Sequence, residues 1–303
     1  MRWLPITLAG PILWAISTHL DKYLVERYFK GRSVAVLLVF TALIGLLLLP
    51  FIFAYVPGVC ALPVRSVSLI ALTGVLYMAA MYFYLQALQS NEASVVAPFF
   101  QTAPIFAYAL AYAVLGERLS RGEVIAGGLI VAGTALLSIE PGHAGPKVNV
   151  RLVALMLACA FSLALSSVIF KLFALRDEFW PTTFWTYVGE AVFGVGVLAV
   201  PAQRRLFMLL LRSSTGAVLA INGVNEAVNL AGSLLFRYAL LLAPLGLVQA
   251  VGSTASIFVF LFGIALSVFF PSVARENLSR GDLLRKALAV TLVALGVVRV
   301  ALP

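Results

Sequence analysis

The chain has 303 residues, of which 62% are apolar and only 11% charged, with a formal net charge of +9. Soluble domains run nearer ~45–50% apolar and ~25% charged, so this composition excludes a water-soluble globular class and leaves a polytopic membrane protein. The positive balance calls for no nucleic-acid partner, because basic residues gather in membrane loops beside anionic lipid. Two cysteines, Cys60 and Cys159, are too few for a disulfide framework.

In chain order, runs of about 17–25 apolar residues predict ten membrane-spanning helices. They lie at 3–20, 34–56, 66–88, 93–115, 122–140, 151–173, 182–202, 215–240, 244–270 and 283–302. Hydrocarbon offers the backbone no water, so such runs are helices rather than loops or open strands. Short charged loops separate them, among them E-R-Y-F-K-G-R at 26–32 and R-R-L-F at 204–207. Trp3, Trp180 and Trp185 fall near span ends, where amphipathic aromatics meet the headgroups. The opening run has the length of a signal peptide but lacks a small-x-small end, and it is expected to remain as the first helix. The longest linker, E-P-G-H-A-G-P-K-V-N at 140–149, divides the chain in two.

The two parts match each other. A-I-S-T-H-L-D-K (15–22) aligns with A-L-S-S-V-I-F-K (164–171), and Gly74-Val75 with Gly223-Val224, both at an offset of 149. Ala87-Leu88 pairs with Ala239-Leu240 at 152, and E-R-L-S-R-G-E (117–123) with E-N-L-S-R-G-D (276–282) at 159. Matches that keep their order with small drift indicate a duplication, with domains at 1–143 and 150–303. Five helices per copy is an odd number, so the copies enter the membrane in opposite orientations. The expected fold class is all-α integral membrane: ten transmembrane helices as two inverted-topology five-helix repeats. Secondary transporters of that architecture hold their site near the bilayer midplane, at the repeat interface.

The eighth run carries the strongest site signal. Asn222, Asn225, Glu226 and Asn229 fall at i, i+3, i+4 and i+7, on one helical face. With Arg212 and Arg237 as the charged ends of the run, Glu226 lies 14 and 11 residues from them, or ~16 Å or more at ~1.5 Å per residue. A carboxylate so deep costs roughly 2.5–3.5 kcal/mol on insertion scales, and a substrate or ion site is the default reading. Interhelical hydrogen bonding by the asparagines is the plainer alternative. At the repeat offset this face maps onto the third helix, where Tyr77, Met81 and Tyr84 form an aromatic stripe. Such a wall attracts a cationic ligand, although packing would give the same pattern.

Other candidates are more ambiguous. Glu190, after Gly189 in the seventh helix, is a second proton carrier, expected to lie shallower than Glu226. Gln101 and Gln249 add polar groups to the fourth and ninth helices, which also carry Pro98, Pro104 and the matched pair Thr102 and Thr254. His19 can titrate near neutrality, or be satisfied beside Asp21. Lys22 and Lys171 close matching helices and are expected to snorkel to the interface. Glu117 and Glu276 sit in turns, with structural capping or local pairing as their expected role. Gly122/Ala126 and Gly128/Ala132 have small-xxx-small spacing, which suits either an intramolecular contact or a homodimer seam.

The stretch A-S-V-V-A-P-F-F-Q-T-A-P-I-F-A-Y-A-L-A-Y-A-V-L-G-E-R-L-S-R-G-E-V-I-A-G-G-L-I-V-A-G (93–133) resembles the drug/metabolite transporter superfamily, specifically its ten-helix EamA-type members. A proline-containing fourth helix, a G-E-x-L turn and a glycine-rich fifth helix carry the likeness, and W-A-I-S-T-H-L-D-K-Y (14–23) is similar to the family's first helix. The second repeat departs from the pattern, with Arg275-Glu276 in place of Gly-Glu and Ala250 and Ser256 in place of the prolines.

The functional expectation is a secondary transporter, exporter or permease, of a small metabolite by alternating access. Glu226 would serve as proton-coupling or counterion group, with Glu190 as the second proton carrier. The substrate would be held by Asn222, Asn225, Asn229, Tyr77, Tyr84, Gln101, Gln249 and His19. A flippase for a lipid-linked metabolite is the alternative, and a non-transporting receptor or scaffold a weaker one. An enzyme is not expected: H-E-x-x-H is absent and the two histidines, His19 and His143, offer little to a Ser–His pair. No G-x-x-x-x-G-K-[ST] occurs, and no cofactor or metal is expected. The partners are a small-molecule substrate and the bilayer, and the location is the cell (inner) membrane. Orientation is in conflict: the resemblance implies cytoplasmic termini, whereas Lys and Arg number 8 on the terminus-bearing face and 13 on the other.

Overall fold

A computed structural model describes residues 3–24, 34–90, 97–138, 150–213, 216–269 and 280–301. In order, the α-helices are α1 (Trp3–Leu24), α2 (Val34–Leu46), α3 (Leu49–Tyr55), α4 (Val64–Ser90), α5 (Ala103–Leu115), α6 (Arg121–Ser138) and α7 (Val150–Arg176). They continue with α8 (Phe179–Ala199), α9 (Pro201–Ser213), α10 (Gly216–Leu242), α11 (Leu245–Gly252), α12 (Ala255–Phe269) and α13 (Arg280–Ala301). A 3-10 helix, Ala97–Thr102, leads into α5. The described residues contain no strand. Among the described residues, five stretches are long and apolar enough to cross a membrane alone: Leu38–Tyr55, Val64–Ala87, Val150–Arg176, Val218–Leu242 and Leu245–Leu266. The chain is an integral, multi-pass membrane protein.

One expected loop is a helix. R-R-L-F at 204–207 lies within α9, which follows α8 at a bend of 101°. Proline at a first helical position has no donor to lose and a φ already helical, so Pro201 starts α9 readily.

At two helix junctions a threonine hydroxyl donates to a carbonyl one turn back. The 3-10 segment gives way to α5 at Thr102, whose hydroxyl donates to the Phe99 carbonyl at 2.6 Å. The α11–α12 break falls at Thr254, whose hydroxyl donates to the Val251 carbonyl at 2.7 Å. Both residues of the second pair lie 152 positions after those of the first, and the bounds of α10 lie 152 after those of α4.

The turn G-E-R-L-S-R-G-E is readable residue by residue. Gly116 has φ 67° and ψ 16°, the left-handed conformation that ends α5. Ser120 and Glu123 form a reciprocal capping box at the start of α6: the Ser120 N–H donates to Glu123 Oε2 at 2.7 Å, and the Glu123 N–H to Ser120 Oγ at 3.2 Å. Glu117, between them, reaches across the molecule. Its Oε2 accepts from the Leu245 N–H at 2.7 Å, capping α11, and its Oε1 lies 2.5 Å from Lys171 Nζ. Lys171 also donates to the Ala243 carbonyl at 2.6 Å. Lys171 therefore does not snorkel: its alkyl chain and ammonium are enclosed, because an anionic partner and a helix-end carbonyl meet it inside. The capping expected of Glu117 is present, but on α11 rather than on a helix beside it in sequence. Glu276 and the side chain of Lys22 lie outside the described residues.

The largest apolar core joins α1, α5, α7, α10 and α11 around Val168, Phe170, Phe236, Leu240 and Val248. A second joins α6 to α13 through Ala126, Ile130, Ala289 and Val293. Ala126 is thus an intramolecular contact, and Gly122 of the same spacing pair faces Arg299 of α13. Gly128 and Ala132 are exposed. The tightest approach is between α4 and α8, where a Cβ on Gly74 would lie 2.0 Å from the Thr186 carbonyl oxygen, and one on Gly189 1.8 Å from that of Ala71. Thr73 and Thr186 join hydroxyls there at 2.9 Å.

Candidate functional site

The α4–α8 crossing sets two side chains just above it, Tyr77 and Glu190. Opposite them α10 presents its polar face, and α2 closes the fourth side. A cleft between these helices is lined by Thr41 and Ile44 of α2, Tyr77 of α4, Tyr187 and Glu190 of α8, and a stripe of α10. That stripe consists of Glu226, Asn229, Leu230, Ser233 and Arg237. The cleft is narrow, with room for about one water molecule.

Its centre is an ion pair. Arg237 Nη2 donates to Glu190 Oε1 at 2.6 Å, with side chains 11% and 3% exposed. The guanidinium is also surrounded by aromatic faces, its Cζ lying 4.8 Å from the Tyr187 ring centroid, 5.7 Å from Phe170 and 5.8 Å from Tyr77. Cation–π attraction strengthens when the cation is desolvated, so the rings offset part of the burial cost of the charge. Tyr187 fits because α2 has a glycine beside it: a Cβ on Gly45 would come within 2.6 Å of the Tyr187 ring. Arg237 Nη1 and the Tyr187 hydroxyl are buried and have no hydrogen-bond partner among the described residues. Glu226 is enclosed on the same wall and accepts a hydrogen bond from the Thr41 hydroxyl at 3.1 Å.

Of the residues expected to form a site, the cleft brings together Glu226, Asn229, Tyr77 and Glu190. Glu190 is not shallower in the sense of exposure, being 2% exposed against 7% for Glu226, because Arg237 covers it. The others lie elsewhere. Asn225 is buried against α1, where the Ser17 hydroxyl donates to its Oδ1 at 2.8 Å. Asn222, half-buried, lies one turn before Glu226 on α10 and outside the cleft. Tyr84 packs edge-on against Phe100, with ring centroids 4.8 Å apart. Gln249 donates to the Ser167 hydroxyl at 2.8 Å. His19 places Nε2 3.0 Å from the Val259 carbonyl. The side chain of Gln101 lies outside the described residues.

Sequence reasoning missed Arg237, Ser233, Tyr187 and Thr41. Arg237 is not the charged end of its span: α10 runs on to Leu242, and the arginine turns inward to Glu190. A signal was present, since Ser233 and Arg237 follow Asn229 at i+4 and i+8 and so continue the polar face. Thr41 is the one polar residue of an apolar helix and carried no such signal, whereas Tyr187 stands three residues before Glu190, a helical spacing that could have found it. Among the described residues, no cluster of three or more metal-ligating side chains occurs.

Comparison with known proteins places the fold. A solved crystal structure of a protein superposes on 99% of this chain and 96% of its own with a TM-score of 0.67, at 18% sequence identity, a likeness of fold alone. No curated protein matches the chain. The model of the EamA-like transporter family matches residues 1–139. Over that first part, a little under half of its length, this apolar, all-helical chain is similar to the EamA-like transporter family.

Proposed function

We propose that the protein is a secondary transporter of a small metabolite. It works by alternating access between two inverted five-helix repeats that together supply ten spans. The observation that carries this reading is the enclosed polar cluster of Arg237, Glu190 and Glu226, set between helices from both sides of the 140–149 linker. Buried ionisable groups in membrane helices are expensive and mark transport sites by default. The common offset of 152 between α4 and α10, and between the two threonine-marked breaks, supports the duplication.

The cleft holds two carboxylates and one guanidinium, with aromatic walls, and so favours a substrate that carries a cationic group. Glu226 is its counterion or the proton-coupling group, and Asn229 and Ser233 are its hydrogen-bonding neighbours. Arg237 Nη1 and the Tyr187 hydroxyl are available to an acceptor on the same substrate. A cleft this narrow must widen before any metabolite enters, which is what relative movement of the repeats would accomplish. With Lys171, Arg237 and Lys286 enclosed in the protein, the loop charges number 6 on the terminus-bearing face and 12 on the other. That balance favours termini outside and opposes the family arrangement, so reporters at the C-terminus and within 204–212 would fix the orientation of the chain in the membrane.

The test is a thermal-shift screen of small metabolites against the purified protein, followed by proteoliposome uptake of the hits under an imposed pH gradient. Uptake is expected to require an ionisable residue at 226, with Glu226→Gln losing gradient-driven accumulation. Undiminished accumulation by that variant would remove Glu226 from the mechanism.

A further inference from the structure

We propose that α9 is an interfacial helix that binds anionic phospholipid through Arg204, Arg205 and Arg212. The sequence of the helix is P-A-Q-R-R-L-F-M-L-L-L-R-S, with three arginines and no acidic residue. No Asp or Glu occurs anywhere between Glu190 and Glu226, and both of those are enclosed in the cleft. The positive charge of α9 is therefore not neutralised by its neighbours in the chain.

Its geometry suits a membrane surface. The 101° bend after α8 lays α9 across the end of that span, in the attitude of a helix lying in the bilayer plane. One face is anchored to the protein: Phe207 and Leu210 are buried with Val39 of α2 and Val218 of α10, and the Phe207 and Phe40 rings lie 5.0 Å apart. The opposite face is mixed. Arg204, Met208 and Arg212 follow one another at i, i+4 and i+8, with Arg205 and Leu209 beside them, and all five are exposed. Met208 and Leu209 are 44% and 55% exposed. Bare apolar side chains between arginines are unfavourable in water. They are favourable where acyl chains meet phosphates, the setting of an amphipathic interfacial helix. Arginine matches phosphate with two parallel donors, and each cationic side chain at the surface adds to the attraction for anionic lipid.

The test uses the full chain in vesicles. A fluorophore is placed on Met208→Cys in a Cys60→Ser background, since Cys60 is exposed and Cys159 buried. The vesicles are phosphatidylcholine with a fixed fraction of either brominated phosphatidylglycerol or brominated phosphatidylcholine. Quenching is expected to show phosphatidylglycerol enriched about threefold or more around α9. That preference should vanish in Arg204→Gln/Arg205→Gln/Arg212→Gln, survive in the corresponding triple lysine variant, and resist excess inorganic phosphate. Equal quenching by the two lipids, no quenching by either, a preference unchanged in the glutamine variant, or displacement by free phosphate would each overturn it. Both triple variants change exposed side chains, and an unaltered thermal unfolding profile would show that the glutamine variant is folded.

Discussion

Arg237 and Glu190 meet at 2.6 Å within the helix bundle, although one lies near the end of α10 and the other midway along α8. Neither charge is affordable alone. Glu190→Gln is expected to destabilise the protein by about 3–5 kcal/mol, because it leaves a guanidinium without a counter-charge. Glu190→Leu combined with Arg237→Met should restore most of that loss while uptake stays abolished. Thermal unfolding in detergent reads the first effect and proteoliposome uptake the second. A double variant as unstable as the single one would show that the helices need the pair for shape, not for charge balance.

Gly74 in α4 and Gly223 in α10 differ in their surroundings. A Cβ on Gly74 would overlap the α8 backbone, whereas one on Gly223 has nothing within 4 Å. Gly74→Ala is expected to prevent accumulation of folded protein. Gly223→Ala should be neutral or stabilising by about 0.5–1 kcal/mol, since alanine favours a helix interior. Size-exclusion profiles and thermal midpoints of the two variants make the comparison.

Glu117 serves a cation and a helix N-terminus at once, through Lys171 and the Leu245 N–H. Hydrogen bonds to charged groups contribute about 1.5–3 kcal/mol each. Glu117→Ala should therefore lower stability by an amount in that range or somewhat above it. Lys171→Met should do less damage in the Glu117→Ala background than alone, because the two share one interaction. Additive losses in a thermal double-mutant cycle would mean that the two side chains act separately.

Much of the helix plan was legible because apolar runs must be long and polar residues in them stand out. Glu226 and Asn229 were found by periodicity alone. Arg237 was misread because a basic residue near the end of an apolar run looks like its boundary, and α10 is longer than a minimal span. Residues 204–207 were read as a loop from two adjacent arginines, although Phe207 and Leu210 have helical spacing and are buried together. Tyr84, Gln249 and Asn225 were reasonable site residues by type, but partners on neighbouring helices draw them away from the cleft. Those partners lie beyond a helical turn of the residues they hold, two of them far off in sequence, and no local pattern announces them.

The contact of Gly74 with Gly189 has a mechanical meaning. Two backbones touching at one point can swivel but cannot separate without losing that contact. α4 and α8 come from the first and second parts of the chain, so under the proposed alternating access this contact would act as a fulcrum between them. A swivel of about 10° would carry Val64 and Ser90, at the ends of α4, through roughly 3 and 4 Å at ~1.5 Å rise per residue. Tyr77, within a turn of the fulcrum, would move by less than about 1 Å. Under that proposal the ends of α4 would move several times farther than the charges beside the contact.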